Sequence, residues 1–157
     1  MWRIYGSLSA LLLGIILVEV TVVPALWSDL RVDFFLGLVI GLAVYSPFTQ
    51  GFLFVALATL PLQAFTGARF GYLPFAYVMA YFLLDVMKGL IFLENIVVQC
   101  LLGFFLNLVI VEAATLFVRM DVLQEGWLPL LAGAVCTATV SPAMAYAVKR
   151  IWSGYEA

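Results

Sequence analysis

Apolar residues gather along this chain into six blocks, and the polar residues fall in short clusters between them. A block of roughly 20 apolar residues spans a bilayer as one helix, and a shorter one suffices where the protein covers its ends. The first block predicts a helix from about Ile4 to Trp27, closed by Pro24, Trp27 and the polar group Ser28, Asp29 and Arg31. Trp27 suits a membrane interface. Asp33 stands where a helix N-cap belongs, ahead of Phe34 to Tyr45, and Ser46 to Gln50 interrupts the pattern before it resumes over Gly51 to Phe65. These two segments predict a tight hairpin of short helices. After Thr66 to Gly71 a fourth span is expected over Tyr72 to Phe92, and Leu93 to Asn95 separates it from a fifth over Ile96 to Val118. Arg119 to Gly126 leads to the last, Trp127 to Val148.

The fold class expected is therefore an all-α integral membrane protein of about six transmembrane helices, the second and third short, in a single polytopic domain over residues 1–157. Composition strengthens this: 66% of residues are hydrophobic and 10% charged, with a mean hydropathy of +1.18, whereas soluble domains run near a quarter charged. The first block is longer than a secretory signal core and lacks a small-residue cleavage site, so it reads as a retained helix. No internal repeat of the kind built into many secondary transporters is visible.

Alternating the spans puts Arg3, Lys88, Lys149 and Arg150 on the side of the termini and Arg31, Arg69 and Arg119 on the other. That excess places both termini in the cytoplasm. If the short hairpin is instead one re-entrant element, the termini fall on opposite sides.

Charge and residue type remove whole classes of function. Seven Lys and Arg scattered along the chain form no basic stripe, which excludes nucleic acid. Histidine is absent, and with it the commonest general base, metal ligand and nucleophile partner. Catalysis and resident cofactors or metals are not expected. Cys100 and Cys136 lie inside apolar blocks without metal-like spacing and read as small buried hydrophobes.

Ionisable residues inside spans cost about 2.5 to 3.5 kcal/mol each on insertion scales and mark candidate sites. Glu19 and Glu112 each lie about two turns before the outer end of a span, at similar depth, where Arg31, Arg69 or Arg119 could join them. The bland alternative is a structural ion pair or a hydrogen-bonded acid. Asp85 and Lys88, three apart, share a helix face and can neutralise each other, or Lys88 can reach headgroup phosphates. Asn107 and Gln63 read as hydrogen-bonding glue between helices, and Gln99 lies nearer a helix end. Gly37 and Gly41 form a GxxxG spacing that predicts close internal packing of another helix. Pro61 and Pro74 bracket the Thr66 to Gly71 turn, where Gly67 and Gly71 permit a sharp reversal around Arg69 and predict a shaped outer surface.

The runs RVDFFLGLVIGLAVYSP, QGFLFVALATLPLQAFTGARFGYLPFAY and LIFLEN, in this order and spacing, resemble the MreD family of the bacterial rod-shape machinery over most of residues 28 to 100. That family enters its second span through Arg-Pro-Asp or a similar triplet, matched by Arg31 and Asp33 with Val32 in place of the proline. Its third span ends in an acid before a Ser-Gly turn; Thr66 and Gly67 fit the turn, and Gln63 stands in place of the acid. The resemblance implies a non-enzymatic scaffold of the bacterial inner membrane that binds MreC. It would help couple MreB filaments to RodA and its class B penicillin-binding partner, with the outer loops and short hairpin as contact surfaces beside membrane lipids. The rival reading is the substrate-binding S-component of an energy-coupling-factor vitamin transporter, whose bundle this fold can share. The small-residue run Ala132 to Ala145 would suit the docking helix of such a component. A small lipid-modifying enzyme built on Asp29 and Asp33 ranks last.

Overall fold

The computed structural model describes residues 2–26, 32–66, 71–118 and 127–154, and all regular structure among them is helical. The first helical rod comprises α1 (Trp2–Leu17), a π-helical turn (Val18–Val22) and α2 (Val23–Leu26). There follow α3 (Phe34–Tyr45), α4 (Phe48–Thr66), α5 (Tyr72–Met87), α6 (Ile96–Val118) and α7 (Trp127–Ser153). The blocks read from the sequence thus each become one rod. Three rods are long and apolar enough to cross a membrane: Arg3–Ala25, Ile96–Ala113 and Trp127–Ser153. The other three are shorter apolar helices.

The predicted pairing of the second and third segments is corrected. Only two residues, Ser46 and Pro47, join α3 to α4, because the proline drives Ser46 into extended backbone and ends the helix. Yet α3 packs chiefly on α7 and α5, and α4 chiefly on α5. The second and third expected segments are both among the shorter helices, and α5, with 16 residues, joins them. The fourth expected segment stops early, at Met87, and residues 88–95 form a turn.

Glycine explains why α3 chose α7. A Cβ on Gly37 would meet the Ser141 Cα and Met144 Cβ at 3.0 Å, and one on Gly41 would meet the Ala145 Cα at 2.8 Å. With Thr137 beside Asp33, the contacts repeat every four residues at constant offset, so α3 and α7 run parallel and in register. The Gly37–Gly41 ridge faces Thr137, Ser141 and Ala145, all buried, and backbones approach closely along that seam. Gly103 admits α6 to the same seam against Ser141.

This makes α3 the centre of the molecule. Every residue from Phe35 to Val44 is buried, and α3 touches each of the other rods. A helix apolar on all sides has no amphipathic face and is stable only when enclosed. Its neighbours carry the outward-facing apolar residues, such as Leu13, Leu57, Phe82, Phe105 and Val135.

Candidate functional site: an acidic cap on the central helix

At 1.5 Å per residue the 12 residues of α3 extend about 18 Å, well short of the first rod and α7. The register with α7 sets the level of its beginning. Ten residues of α7, Trp127 to Cys136, precede Thr137, so α7 continues about 15 Å beyond the start of α3. On the first rod, Val20 to Leu26 continues about 10 Å past Glu19. The amino terminus of α3 therefore opens inside the bundle.

A helix begins with four N–H groups that lack partners within it, and inside an apolar bundle each must be satisfied by something else. Here all four find side chains. The Asp33 N–H donates to Thr137 Oγ1 at 3.0 Å. Glu19 Oε1 accepts from the N–H groups of Phe34 at 2.7 Å and Phe35 at 3.1 Å. Asp33 Oδ1 accepts from the Leu36 N–H at 2.7 Å, the N-cap bond its sequence position predicts. The second Asp33 oxygen accepts from the Tyr77 hydroxyl at 2.6 Å, and the Tyr77 ring meets Phe35 edge to face at 4.8 Å between centroids. Four rods converge on the cap, and the positive end of the helix dipole faces the two carboxylates.

Glu19 reaches the cap from the π-helical turn. There the Val23 N–H bonds five residues back to the Val18 carbonyl, and the Thr21 hydroxyl bonds the Leu17 carbonyl. Pro24, which has no N–H to donate, follows immediately. A π turn rotates the side chains after it relative to a regular helix and is common at functional positions. In this one Glu19 is the acidic residue, and it is turned inward onto α3.

The other sequence candidates are distributed elsewhere. Glu112 is half-buried on α6 and is not without a partner. Arg31, Gly67 and Arg69 lie outside the described residues, as do Arg119 and the acids Asp29, Asp121 and Glu125. Buried Gln63 accepts from the Gly71 N–H at 3.2 Å, so it ties α4 to the start of α5. Gly71 has a φ of +91°, a conformation that suits glycine at this N-cap. Asp85 is half-buried late in α5, and Lys88 is its exposed C-cap. Asn107 is buried on α6. Among the described candidates the structure brings together Gln63 with Gly71 at the start of α5, and Glu19 with Asp33 at the cap. Sequence reasoning missed Tyr77 and Thr137; one tyrosine among 7 and one threonine in a run of small residues carry no distinguishing signal.

Chemically, this cap fixes a helix rather than presenting free ligands. The carboxylate atoms named above already accept protein donors. Among the described residues no three His, Cys, Asp or Glu side chains gather in a metal-binding group. Comparison with known proteins returns no matching family model, no matching curated protein and no matching solved structure.

Proposed function

We propose that this chain is an MreD-like, non-enzymatic scaffold of the bacterial cell-elongation complex, a six-span protein of the cytoplasmic membrane with both termini inside. In this reading it binds MreC and helps couple MreB to RodA and its class B penicillin-binding partner. One observation supports the reading above the others. The first of the three runs that carry the resemblance contains the buried central helix, α3, and the polar residues at its two ends, Asp33 and Ser46, are engaged in internal bonds. A chain that invests its polar side chains in its own architecture offers partners a surface rather than a reaction centre.

The S-component reading makes a different demand on the same residues. It would use small residues of α7 for docking; Gly133, Ala134, Thr137, Ser141 and Ala145 are buried in the bundle, while Thr139 and Ala143 remain exposed. Affinity recovery of the tagged protein from its native membranes in mild detergent, followed by mass spectrometry, tests the proposal. Recovery of MreC, RodA and a transpeptidase is expected. Paired ATPases and a large transmembrane coupling subunit without cell-wall proteins would replace the scaffold with the transporter reading.

A further inference from the structure

The turn between α5 and α6, residues 88–95, presents the two most exposed large apolar side chains among the described residues: Leu90 at 81% and Phe92 at 90%. We propose that this turn is seated in the bilayer. Leu90 and Phe92 would lie at the boundary between headgroups and acyl chains, with Lys88 at the lipid phosphates. The proposal rests on the reading of this chain as a membrane-spanning bundle.

Length gives the first reason. The 16 residues of α5 extend about 24 Å, against a hydrocarbon thickness of roughly 30 Å. Apolar residues continue past Met87 as exposed Leu90, Ile91 and Phe92, which suits an α5 whose short end and following turn stay at the interface rather than out in water.

Backbone satisfaction gives the second. Irregular backbone is excluded from the hydrocarbon core beside lipid, so the turn belongs at the interface, where water reaches the groups that the protein does not pair. The Leu90 and Ile91 N–H groups both donate to the Met87 carbonyl at 2.9 Å, Leu93 donates to Ile91 at 2.8 Å, and Asn95 donates to Phe92 at 3.1 Å. Buried Gln99 donates its Nε2 to the Leu93 carbonyl at 2.9 Å, and the Asn95 side chain accepts from the Val97 N–H at 2.9 Å. Leu93 itself is buried beneath the turn, so the exposed pair is held out on a fixed base.

Continuity selects lipid over a protein partner. Exposed Leu83 and Val86 lead into the turn on α5, and exposed Ile96 and Val97 lead out of it on α6. One apolar strip thus runs down one rod, around the turn and up the next. Within this strip exposed Lys88 and Glu94 flank Leu90 and Phe92, which sets a shallow depth, about 5 to 10 Å into the headgroup–acyl boundary, as for interfacial elements.

The test uses the full chain reconstituted in phosphatidylcholine vesicles, with Cys100→Ala and Cys136→Ala as background. An environment-sensitive fluorophore is attached at Phe92→Cys or, separately, at Phe105→Cys in the exposed middle of α6. Quenching by brominated lipid is compared with quenching by aqueous iodide. The expected result is strong bromolipid quenching at both positions, with iodide quenching at position 92 several-fold weaker than for the free dye. Iodide access at 92 with bromolipid access at 105 would overturn the seated turn and leave the spanning bundle intact. Protection of 92 from both quenchers would overturn it in favour of a contact with a second copy. Iodide access at 105 without bromolipid quenching would remove the spanning reading, and the proposal with it.

Discussion

The two ends of α3 solve the same problem by different means. At its carboxyl end the Ser46 N–H and hydroxyl both return to the Leu42 carbonyl, at 2.9 and 2.6 Å, and Pro47 stops the helix; everything needed lies within six residues. At its amino end, four orphan N–H groups are met by Glu19, Asp33 and Thr137, with Tyr77 steadying Asp33. Three of these four side chains come from other rods. A local closure survives small rearrangements of the bundle, whereas the distant cap holds only while four rods keep their places. The polar cap therefore works as a register pin: it fixes how the first rod, α5 and α7 meet around α3.

Substitutions at the two ends should separate these roles, and removing Glu19 should have the largest effect. Glu19→Leu strands the Phe34 and Phe35 N–H groups in apolar surroundings and is expected to cost about 3 kcal/mol, read as a lower midpoint of thermal unfolding in detergent. Glu19→Gln keeps an acceptor oxygen and should lose about 1 kcal/mol. Equal losses for the two variants would show that charge, not acceptor geometry, holds the cap. Next comes Tyr77→Phe, which deletes one hydrogen bond to a carboxylate and keeps the ring against Phe35. It should cost about 1.5 kcal/mol by the same measurement. Smallest is Ser46→Ala, expected near 0.5 kcal/mol, because the Ser46 N–H still closes the helix. If Ser46→Ala cost as much as Glu19→Leu, the contrast between a local and a distant closure would collapse.

Much of this architecture is legible along the chain. Asp33 announces the start of α3 because an N-cap is a local device, and Ser46–Pro47 announces its end for the same reason. The bounds of α6, Ile96 to Val118, coincide with the expected ones because an uninterrupted apolar run between polar clusters leaves a helix no other place to begin or stop. Gly37 and Gly41 predict a close helix approach, since only a missing Cβ lets another backbone in. The length of α5 was not legible in the same way. The run from Leu90 to Leu93 is apolar, and hydropathy alone cannot distinguish an apolar turn from one more turn of helix.

The sequence by itself determined that the regular structure of the described residues is helical, where the rods lie, and that Glu19 and Asp33 are unusual residues. Those properties depend on composition and spacing within a few turns. Only the tertiary structure decided that α3 takes α7 rather than its chain neighbour α4 as its main partner, and that Glu19 reaches across 15 positions to Phe34 to cap a helix beside Thr137, 104 positions from Asp33. The physical reason is that an apolar bundle gives nearly equal energy to many helix pairings. The choice among them falls to a few small residues that let backbones touch and a few polar groups that must not be left unpaired. Which groups satisfy one another is settled when all the rods are in place together.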